Sequence, residues 1–264
     1  MGARRQLRAG TVKPWGTVLA TLYHMEGQDD LLEDQLAYYN ARAGEYDDWF
    51  LRRGQYDRGA PENARWFGEL RVLEAALREA EPGGDILELA CGSGWWTRRL
   101  LSRATRLVAV DASPEMLRLN RERVLDPRVE YALADVFDWR PESEFDFVFF
   151  GFWLSHVPRD RFESFWSLVA DALKPDGRVF FVDNRHVLGA SAPTDNADAQ
   201  VRRLNDGRTF KIVKVYYEPA ELTASLTQLG WRCEVGATQR FFIFGRAIRA
   251  NPHLLVQRSK RSAR

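Results

Sequence analysis

The sequence predicts an α/β fold, in which a doubly wound parallel sheet carries helices on both faces and is preceded by a helical cap. Short apolar segments alternate with helical patterns from about residue 85 to residue 183. Such alternation is typical of right-handed crossovers and a parallel sheet. A glycine turn, Gly92-Ser93-Gly94, joins the first of these strands to the helix after it. Hydrophobic residues make up 45% of the 264 residues, enough for a packed core.

Two helices are predicted before the sheet. Apolar side chains recur at helical spacing from Leu31 to Gln55, and Pro61 opens a second helix that runs to about Ala80. Beyond them we expect strands at 85–90, 106–111, 128–134, 145–150 and 178–183, and helices at about 95–104, 113–123 and 159–173. Ser113-Pro114-Glu115 has the composition of a helix start, and Lys174-Pro175-Asp176-Gly177 that of a helix stop and turn.

The alternation stops after Asp183. Residues 185–208 are polar and irregular, which predicts a long loop. A strand is then expected at 209–217, a helix at 219–229, and two closing strands at 231–235 and 241–248. We therefore predict one domain over 31–250 with a helical lid at 31–80, a disordered N-terminal extension at 1–30 and a basic C-terminal tail at 251–264.

Composition excludes several classes of protein. No run approaches 18 apolar residues, so no membrane span is expected. Cys91 lies inside the glycine turn and Cys233 is the only other cysteine, which disfavours a structural disulfide and indicates a reducing, cytoplasmic location. No cluster has metal-ligand spacing, so no metal is predicted. The first 24 residues and the last 19 are basic, but residues 25–245 hold 28 basic against 37 acidic residues, a net of −9 that makes nucleic acid an improbable partner.

The glycine turn predicts a ligand held against bare backbone, because glycines at 92 and 94 carry no Cβ to block its approach. A dinucleotide site would place a third glycine at position 97, where this chain has Thr97 after Trp95 and Trp96. The turn also lacks the Lys-Ser/Thr pair of a nucleoside-triphosphate loop. A nucleoside without phosphates fits these residues better.

Two carboxylates follow the next strands. Asp111 closes the second strand, where a carboxylate can accept hydrogen bonds from both hydroxyls of a ribose. Asp135 follows the third strand, where it could accept from an adenine amino group while the N–H of Val136 donates to the ring. Taken singly, Asp111 could cap a helix and Asp135 could belong to a turn. Their combination with the glycine turn favours the ligand.

These motifs together resemble those of the class I S-adenosylmethionine-dependent methyltransferases. Residues 88–94 resemble the family's first motif, with Ala90 in place of its first glycine, and 108–113 and 134–136 resemble its ribose and adenine motifs. Residues 145–158 and 173–183 resemble the fourth and fifth strands. The resemblance implies a seven-stranded Rossmann-like sheet ending in an antiparallel hairpin, with S-adenosylmethionine as cofactor. The cofactor-binding residues that it implies are Tyr46, Glu88, Ala90, Gly92, Gly94, Asp111, Ala112, Met116, Asp135, Val136 and Phe150.

The acceptor side is predicted at the loop after the fourth strand. His156 could deprotonate a hydroxyl near neutral pH, although a packed histidine fits the sequence equally well. Aromatic faces suit a sulfonium and an apolar substrate, so we expect Tyr39, Trp49, Phe152 and Trp153 to line a substrate pocket. The alternative is that about half of these aromatic residues belong to the core. Lys211, Lys214 and Tyr216 could complete the pocket, with surface positions favoured for both lysines.

The predicted function is methyl transfer from S-adenosylmethionine to a small-molecule acceptor, with oxygen as the favoured atom and nitrogen or carbon left open. The fourth-strand motif reads Gly151-Phe152-Trp153-Leu154 rather than Asn/Asp-Pro-Pro-Tyr, which disfavours methylation of amino groups on nucleic-acid bases. Two alternatives stay open, an RNA or protein methyltransferase and a cofactor-binding protein without catalysis. The sequence does not identify the acceptor, and it fits a monomer as well as a homodimer.

Overall fold

The computed structural model describes residues 15–186 and 198–250, with side chains described from residue 29 onward. The N-terminal residues before 15 and the basic tail at 251–264 lie outside the described residues, as do residues 187–197 of the predicted 185–208 loop. Within the described part of the chain, no helix combines the length and apolar character needed to cross a membrane.

The predicted architecture is confirmed. The strands are β1 (Gly84–Leu89), β2 (Ala104–Asp111), β3 (Val129–Leu133), β4 (Phe145–Gly151), β5 (Leu173–Asn184), β6 (Ala199–Arg203), β7 (Thr209–Val213), β8 (Trp231–Ala237) and β9 (Phe242–Arg249). Seven of them form one sheet in the order β3-β2-β1-β4-β5-β9-β8, parallel through β5 and antiparallel at β9 and β8, whereas β6 and β7 pair separately. The helices are α1 (Trp15–Arg42), α2 (Tyr46–Leu51), α3 (Ala60–Glu79), α4 (Thr97–Leu100), α5 (Pro114–Val124), α6 (Phe162–Asp171) and α7 (Pro219–Gln228).

The predicted start of α5 is also present. Ser113 caps the helix, because its hydroxyl accepts a hydrogen bond of 3.2 Å from the N–H of Met116, and Pro114 occupies the first turn. The helix after the glycine turn is shorter than the predicted 95–104. It holds only Thr97–Leu100, since Trp95 and Trp96 belong to the turn itself.

The N-terminal helix is not continuous over 31–55 as predicted. It begins earlier, at Trp15, and ends at Arg42 in a 3₁₀ turn, after which α2 runs in a new direction until Arg52 takes a left-handed conformation (φ 54°). Gly44, a poor helix former, lies in the turn. The break lets Phe50 bury against the glycine turn, where its ring stacks on Trp95 at 4.7 Å.

The prediction of an uninterrupted loop at 185–208 is wrong for residues 199–203. They form β6, which pairs antiparallel with β7 in a separate two-stranded ribbon closed by a turn at Gly207 (φ 92°). The predicted strand at 209–217 ends at Val213. The ribbon packs on α1, since Gln35 accepts a hydrogen bond of 3.1 Å from the N–H of Val213, and the rings of Tyr38 and Phe210 lie 5.8 Å apart.

The stretch Lys174–Gly177 is not a turn that precedes a strand but a bulge inside β5. Leu173 pairs with Phe145, and Arg178 with Phe147, so residues 174–177 loop out between two paired positions. Apolar cores fill both faces of the sheet, one against α6 and α7 and the other against α3, α4 and α5. The carboxyl ends of β1, β2 and β4 stay open, and the site lies there.

Candidate functional site

A cleft, which we call the cofactor cleft, lies at the carboxyl ends of β1, β2 and β4, where the strand order reverses between β1 and β4. Ligands of doubly wound sheets bind at this position. Eight of the eleven predicted cofactor residues line the cleft, namely Tyr46, Ala90, Gly92, Asp111, Ala112, Met116, Asp135 and Val136.

The glycine turn has the backbone conformation that its sequence predicts. Gly92 (φ 54°) and Gly94 (φ 85°) both take positive φ, which suits glycine. Ala90, which stands where the family's motif has its first glycine, is also at positive φ (51°), an uncommon conformation for a residue with a Cβ. A Cβ on Gly92 would stand 3.8 Å from the ring of Tyr46, so glycine leaves open the space between the turn and that ring.

Asp111 links the turn to the next loop. One of its carboxylate oxygens accepts from the N–H of Gly92 at 2.8 Å, and the other from the N–H of Ser113 at 2.9 Å. Burial raises the pKa of Asp111 to about 6, although these hydrogen bonds act in the opposite direction. The carboxylate is therefore ionised above that pH, and each oxygen keeps a further lone pair for a ligand in the cleft.

Asp135 and Val136 line the cleft from the segment after β3. Asp135 is exposed, and one of its oxygens accepts from the N–H of Phe137 at 2.9 Å, so the turn role considered for it is real. It lines the cleft nevertheless, together with Val136 and Met116. A cleft with an apolar wall and carboxylates from β2 and from the segment after β3 fits an uncharged adenine and its ribose.

Glu88, Gly94 and Phe150 do not line the cleft. Glu88 is buried at 1% exposure, with Oε2 lacking a hydrogen-bond partner, and burial raises its pKa to about 8 despite a hydrogen bond from Thr97. Gly94 packs against α5, because a Cβ there would lie 2.6 Å from Oδ1 of Asn120. Phe150 lies in the core between the sheet and helices α6 and α7, where its ring stacks on Phe181 with 5.6 Å between the centroids.

A second, larger cavity adjoins the cleft, and we call it the acceptor cavity. It lies between α1 and α2 on one side and β7, the end of β5 and the β8–β9 connection on the other. Tyr39, Tyr46, Phe152 and His156 line both cavities and therefore form the border between them. Of the other predicted substrate residues, Trp49 lines the acceptor cavity and Trp153 lines the cofactor cleft.

His156 is held at both ring nitrogens. The carbonyl oxygen of Val213 lies 2.8 Å from Nδ1 and can only accept, so Nδ1 carries the proton and Nε2 accepts from the Tyr39 hydroxyl at 2.8 Å. Burial lowers the pKa of His156 well below its usual range, and the positive charge of Lys214 lowers it further. A proton from an acceptor would reach this neutral imidazole only through Tyr39.

The four aromatic residues predicted to line a substrate pocket, Tyr39, Trp49, Phe152 and Trp153, all line the cleft or the acceptor cavity. Phe50 and Trp96 are instead buried in the core. The ring of Trp49 lies 4.9 Å from that of Phe152, and both line the acceptor cavity. Phe152 has positive φ (60°), and Gly151 beside it leaves room for Trp96, which a Cβ would meet at 2.8 Å.

The basic lining of the acceptor cavity was not predicted. Lys214, for which the surface was favoured, is 3% exposed and lines the cavity with Tyr216, whereas Lys211 is exposed as expected. Seven cationic residues line this cavity: Arg42, Arg52, Arg58, Arg185, Arg202, Lys214 and Arg240. One local signal was available, because Tyr38 and Arg42 lie four residues apart on α1 and so fall on one helical face.

Known proteins support the cofactor assignment. A family model described as a methyltransferase domain matches residues 86–177. The ubiquinone biosynthesis O-methyltransferase of Xanthomonas axonopodis pv. citri (strain 306) is 29% identical over 168 residues, which cover 61% of this chain and 69% of that protein.

Two solved structures of DhpI are more similar. Its complex with SAH is 40% identical, with a TM-score of 0.70, and the match covers 84% of this chain and 98% of that one. A DhpI-SAM-HEP complex matches equally well, over 83% of this chain and 98% of that one. With this identity over nearly the whole length of DhpI, and with the strand order and cleft described above, the chain belongs to the class I S-adenosylmethionine-dependent methyltransferases.

Proposed function

We propose that this methyltransferase transfers the methyl group of S-adenosylmethionine to an oxygen atom of a small molecule in the acceptor cavity. The observation that carries the proposal is the border of Tyr39, Tyr46, Phe152 and His156, where the cofactor cleft and the acceptor cavity meet. An in-line displacement needs donor and acceptor to approach within van der Waals distance across such a border.

The cofactor supplies an electrophilic methyl group on a sulfonium. The chain's own residues bind and orient it. The backbone of the turn at Ala90 and Gly92 would hold it, Asp111 would accept hydrogen bonds from its ribose, and Asp135 and Val136 would receive the adenine. Tyr46 covers the turn and, with Phe152, presents an aromatic face that suits a positively charged sulfur.

We propose that His156 positions Tyr39 at the border and does not itself touch the acceptor. Its Nδ1–H bond to Val213 fixes the tautomer, and its Nε2 then orients the Tyr39 hydroxyl. The ubiquinone O-methyltransferase name supports oxygen as the acceptor atom. The SAM and HEP complex of DhpI supports a small molecule beside the cofactor.

The test has two parts. Titration calorimetry should show S-adenosylhomocysteine binding to the full chain. Incubation with [methyl-¹³C]-S-adenosylmethionine and a panel of small alcohols, phenols and acids should then give a product whose methyl carbon has the chemical shift of an O–CH₃ group. A product with the N–CH₃ or C–CH₃ shift would contradict transfer to oxygen.

A further inference from the structure

The acceptor cavity concentrates positive charge that the described residues do not balance. Of its seven cationic residues, three have a carboxylate partner: Arg240 with Glu62 at 3.2 Å, Arg185 with Glu218 at 3.5 Å, and Lys214 with Asp183 at 3.9 Å. Among the residues that the structure describes, Arg42, Arg52, Arg58 and Arg202 have none. Glu62 is the single acidic side chain that lines the described cavity.

Arg42 is the most informative of these residues. The residue is only 8% exposed, yet its Nε has no hydrogen-bond partner among the residues that the structure describes. The guanidinium lies over the rings of Tyr38, Tyr46 and Tyr56, at 4.9 to 5.7 Å from their centroids. Aromatic faces stabilise a cation but leave its N–H donors unused. A buried guanidinium without a carboxylate is costly unless another anion meets it.

Arg52 shows a similar feature directly after α2. Its guanidinium lies 4.3 Å from the centroid of the Trp66 ring, and its buried Nε has no partner among the described residues. Arg202 reaches the cavity from β6. Three arginines from three separate segments thus line one cavity without a carboxylate partner among the described residues, an arrangement that suits the planar or tetrahedral oxygens of an organic acid.

The positive charge extends to the border with the cofactor cleft. Tyr46 lies on that border, and Arg42 stands 4.9 Å above its ring. Lys214 donates to Ser155 Oγ at 2.7 Å and to Asn184 Oδ1 at 3.1 Å, which holds its ammonium beside His156. A neutral acceptor would leave this field uncompensated next to a cationic donor, whereas an anionic acceptor would balance it.

We propose that the methyl acceptor is a small organic oxyanion, a carboxylate or a phosphoryl or sulfonyl acid, held by Arg42, Arg52 and Arg202. The inference rests on the proposed function, because it names the acceptor class of the same site. It needs no turnover to be tested.

The experiment measures binding of propionate, ethylphosphonate and ethanesulfonate to the full chain saturated with S-adenosylhomocysteine, with propionamide as the uncharged analogue of propionate. Ligand-observed NMR titration gives the dissociation constants. At least one oxyanion should bind at least tenfold more tightly than propionamide, with an affinity that falls as salt is raised. The preferred oxyanion identifies the acid group: propionate a carboxylate, ethylphosphonate a phosphoryl group and ethanesulfonate a sulfonyl group.

Variants locate the site. Arg42→Met and Arg202→Met should each weaken oxyanion binding at least tenfold, and Arg42→Lys should retain part of it because the charge stays. Arg118→Met is the matched control, since Arg118 lies exposed on α5 in ion pairs with Glu115 and Glu122. Because Arg42 is buried, Arg202→Met keeps the test decisive if Arg42→Met fails to fold.

The outcomes separate the two proposals. Equal binding of propionamide and all three oxyanions, or unchanged oxyanion binding in the folded arginine variants, would overturn the anionic acceptor and leave methyl transfer to oxygen standing. Charge-selective binding together with a product methylated at nitrogen or carbon would overturn the proposed acceptor atom alone.

Discussion

Replacing Asp111 by alanine tests the cofactor site most directly. Asp111 lines the cofactor cleft, and both of its carboxylate oxygens already accept one backbone N–H each, from Gly92 and Ser113, which leaves each oxygen one further lone pair. A hydrogen bond to a charged group contributes about 1.5–3 kcal/mol. Two ribose hydroxyls would therefore contribute about 3–6 kcal/mol, and the lower end applies because water can enter the vacated space. A loss of about 3 kcal/mol corresponds to a roughly 100-fold weaker affinity.

The assay is calorimetric titration of S-adenosylhomocysteine into wild-type and variant protein at pH 8, where Asp111 is ionised. Asp146→Ala is the matched control. Asp146 also accepts a backbone N–H, from Asp85 at 2.8 Å, but it lies near the start of β4, at the end of the sheet away from the cofactor cleft. Circular dichroism checks that each variant is folded. A folded Asp111→Ala variant that binds within threefold of wild type would refute the ribose role.

The raised pKa adds a second arm to the same experiment. Because burial raises the pKa of Asp111 to about 6, the wild-type carboxylate gains a proton as pH falls through 6 and loses half of its acceptor capacity. Affinity for S-adenosylhomocysteine should therefore weaken below pH 6, and Asp111→Ala should lack that step. A wild-type affinity that is constant from pH 5 to pH 8 would contradict an ionised Asp111 in the complex.

Three further predictions concern the turn, the buried acid and the cavity lysine. Gly94→Ala should destabilise the fold by at least about 2 kcal/mol and lower the melting temperature by roughly 4–8 °C, because Gly94 has positive φ and the new Cβ would lie 2.6 Å from Asn120. Gly68→Ala on α3 is the control in the same melting assay, since its Cβ would lie 3.8 Å from the side chain of Arg71. Burial raises the pKa of Glu88 to about 8, so between about pH 4 and 8 this side chain is protonated in the folded protein and ionised in the unfolded chain. The free energy of unfolding of the wild type should therefore decrease as pH rises over that range. In chemical unfolding, Glu88→Gln should remove this slope, and an unchanged slope would contradict the assignment. Burial lowers the pKa of Lys214 to about 8, so affinity for the preferred oxyanion, measured by the same NMR titration, should fall as pH rises through 8 in wild type but show no such step in Lys214→Met.

The sheet and the cofactor cleft could be predicted because their signals are local. Each strand is a short apolar run, and the carboxyl ends of parallel strands meet at one edge, so Asp111 could be placed beside the glycine turn without a structure. Phe150 marks the limit of this reasoning. Side chains alternate across a strand, and the position that faces the cleft is Gly151, one residue later, whereas Phe150 packs against α6.

The acceptor cavity could not be predicted in the same way, because its residues come from segments far apart in the chain. Arg42 and Arg52 come from the lid helices and Arg202 from β6, in a segment that reads as irregular loop. Lys214 was expected at the surface because lysine seldom lies buried. It is buried here because its neighbours Val213 and Val215 are buried and because Ser155 and Asn184 accept hydrogen bonds from its ammonium group.

The charges of the cofactor cleft and of the acceptor cavity have to be considered together. A sulfonium in the cofactor cleft is positive, and Arg42, Arg202 and Lys214 place further positive charge on the acceptor side of the border. Like charges repel, so a neutral acceptor would leave cofactor binding opposed by the cavity. An oxyanion between them is attracted to both sides, and methyl transfer from the sulfonium to a singly charged oxyanion converts a cation and an anion into two neutral groups. Such an oxygen also carries no proton to remove. That agrees with a His156 that is neutral, buried and hydrogen-bonded at both nitrogens, and so is suited to positioning Tyr39 rather than to acting as a base.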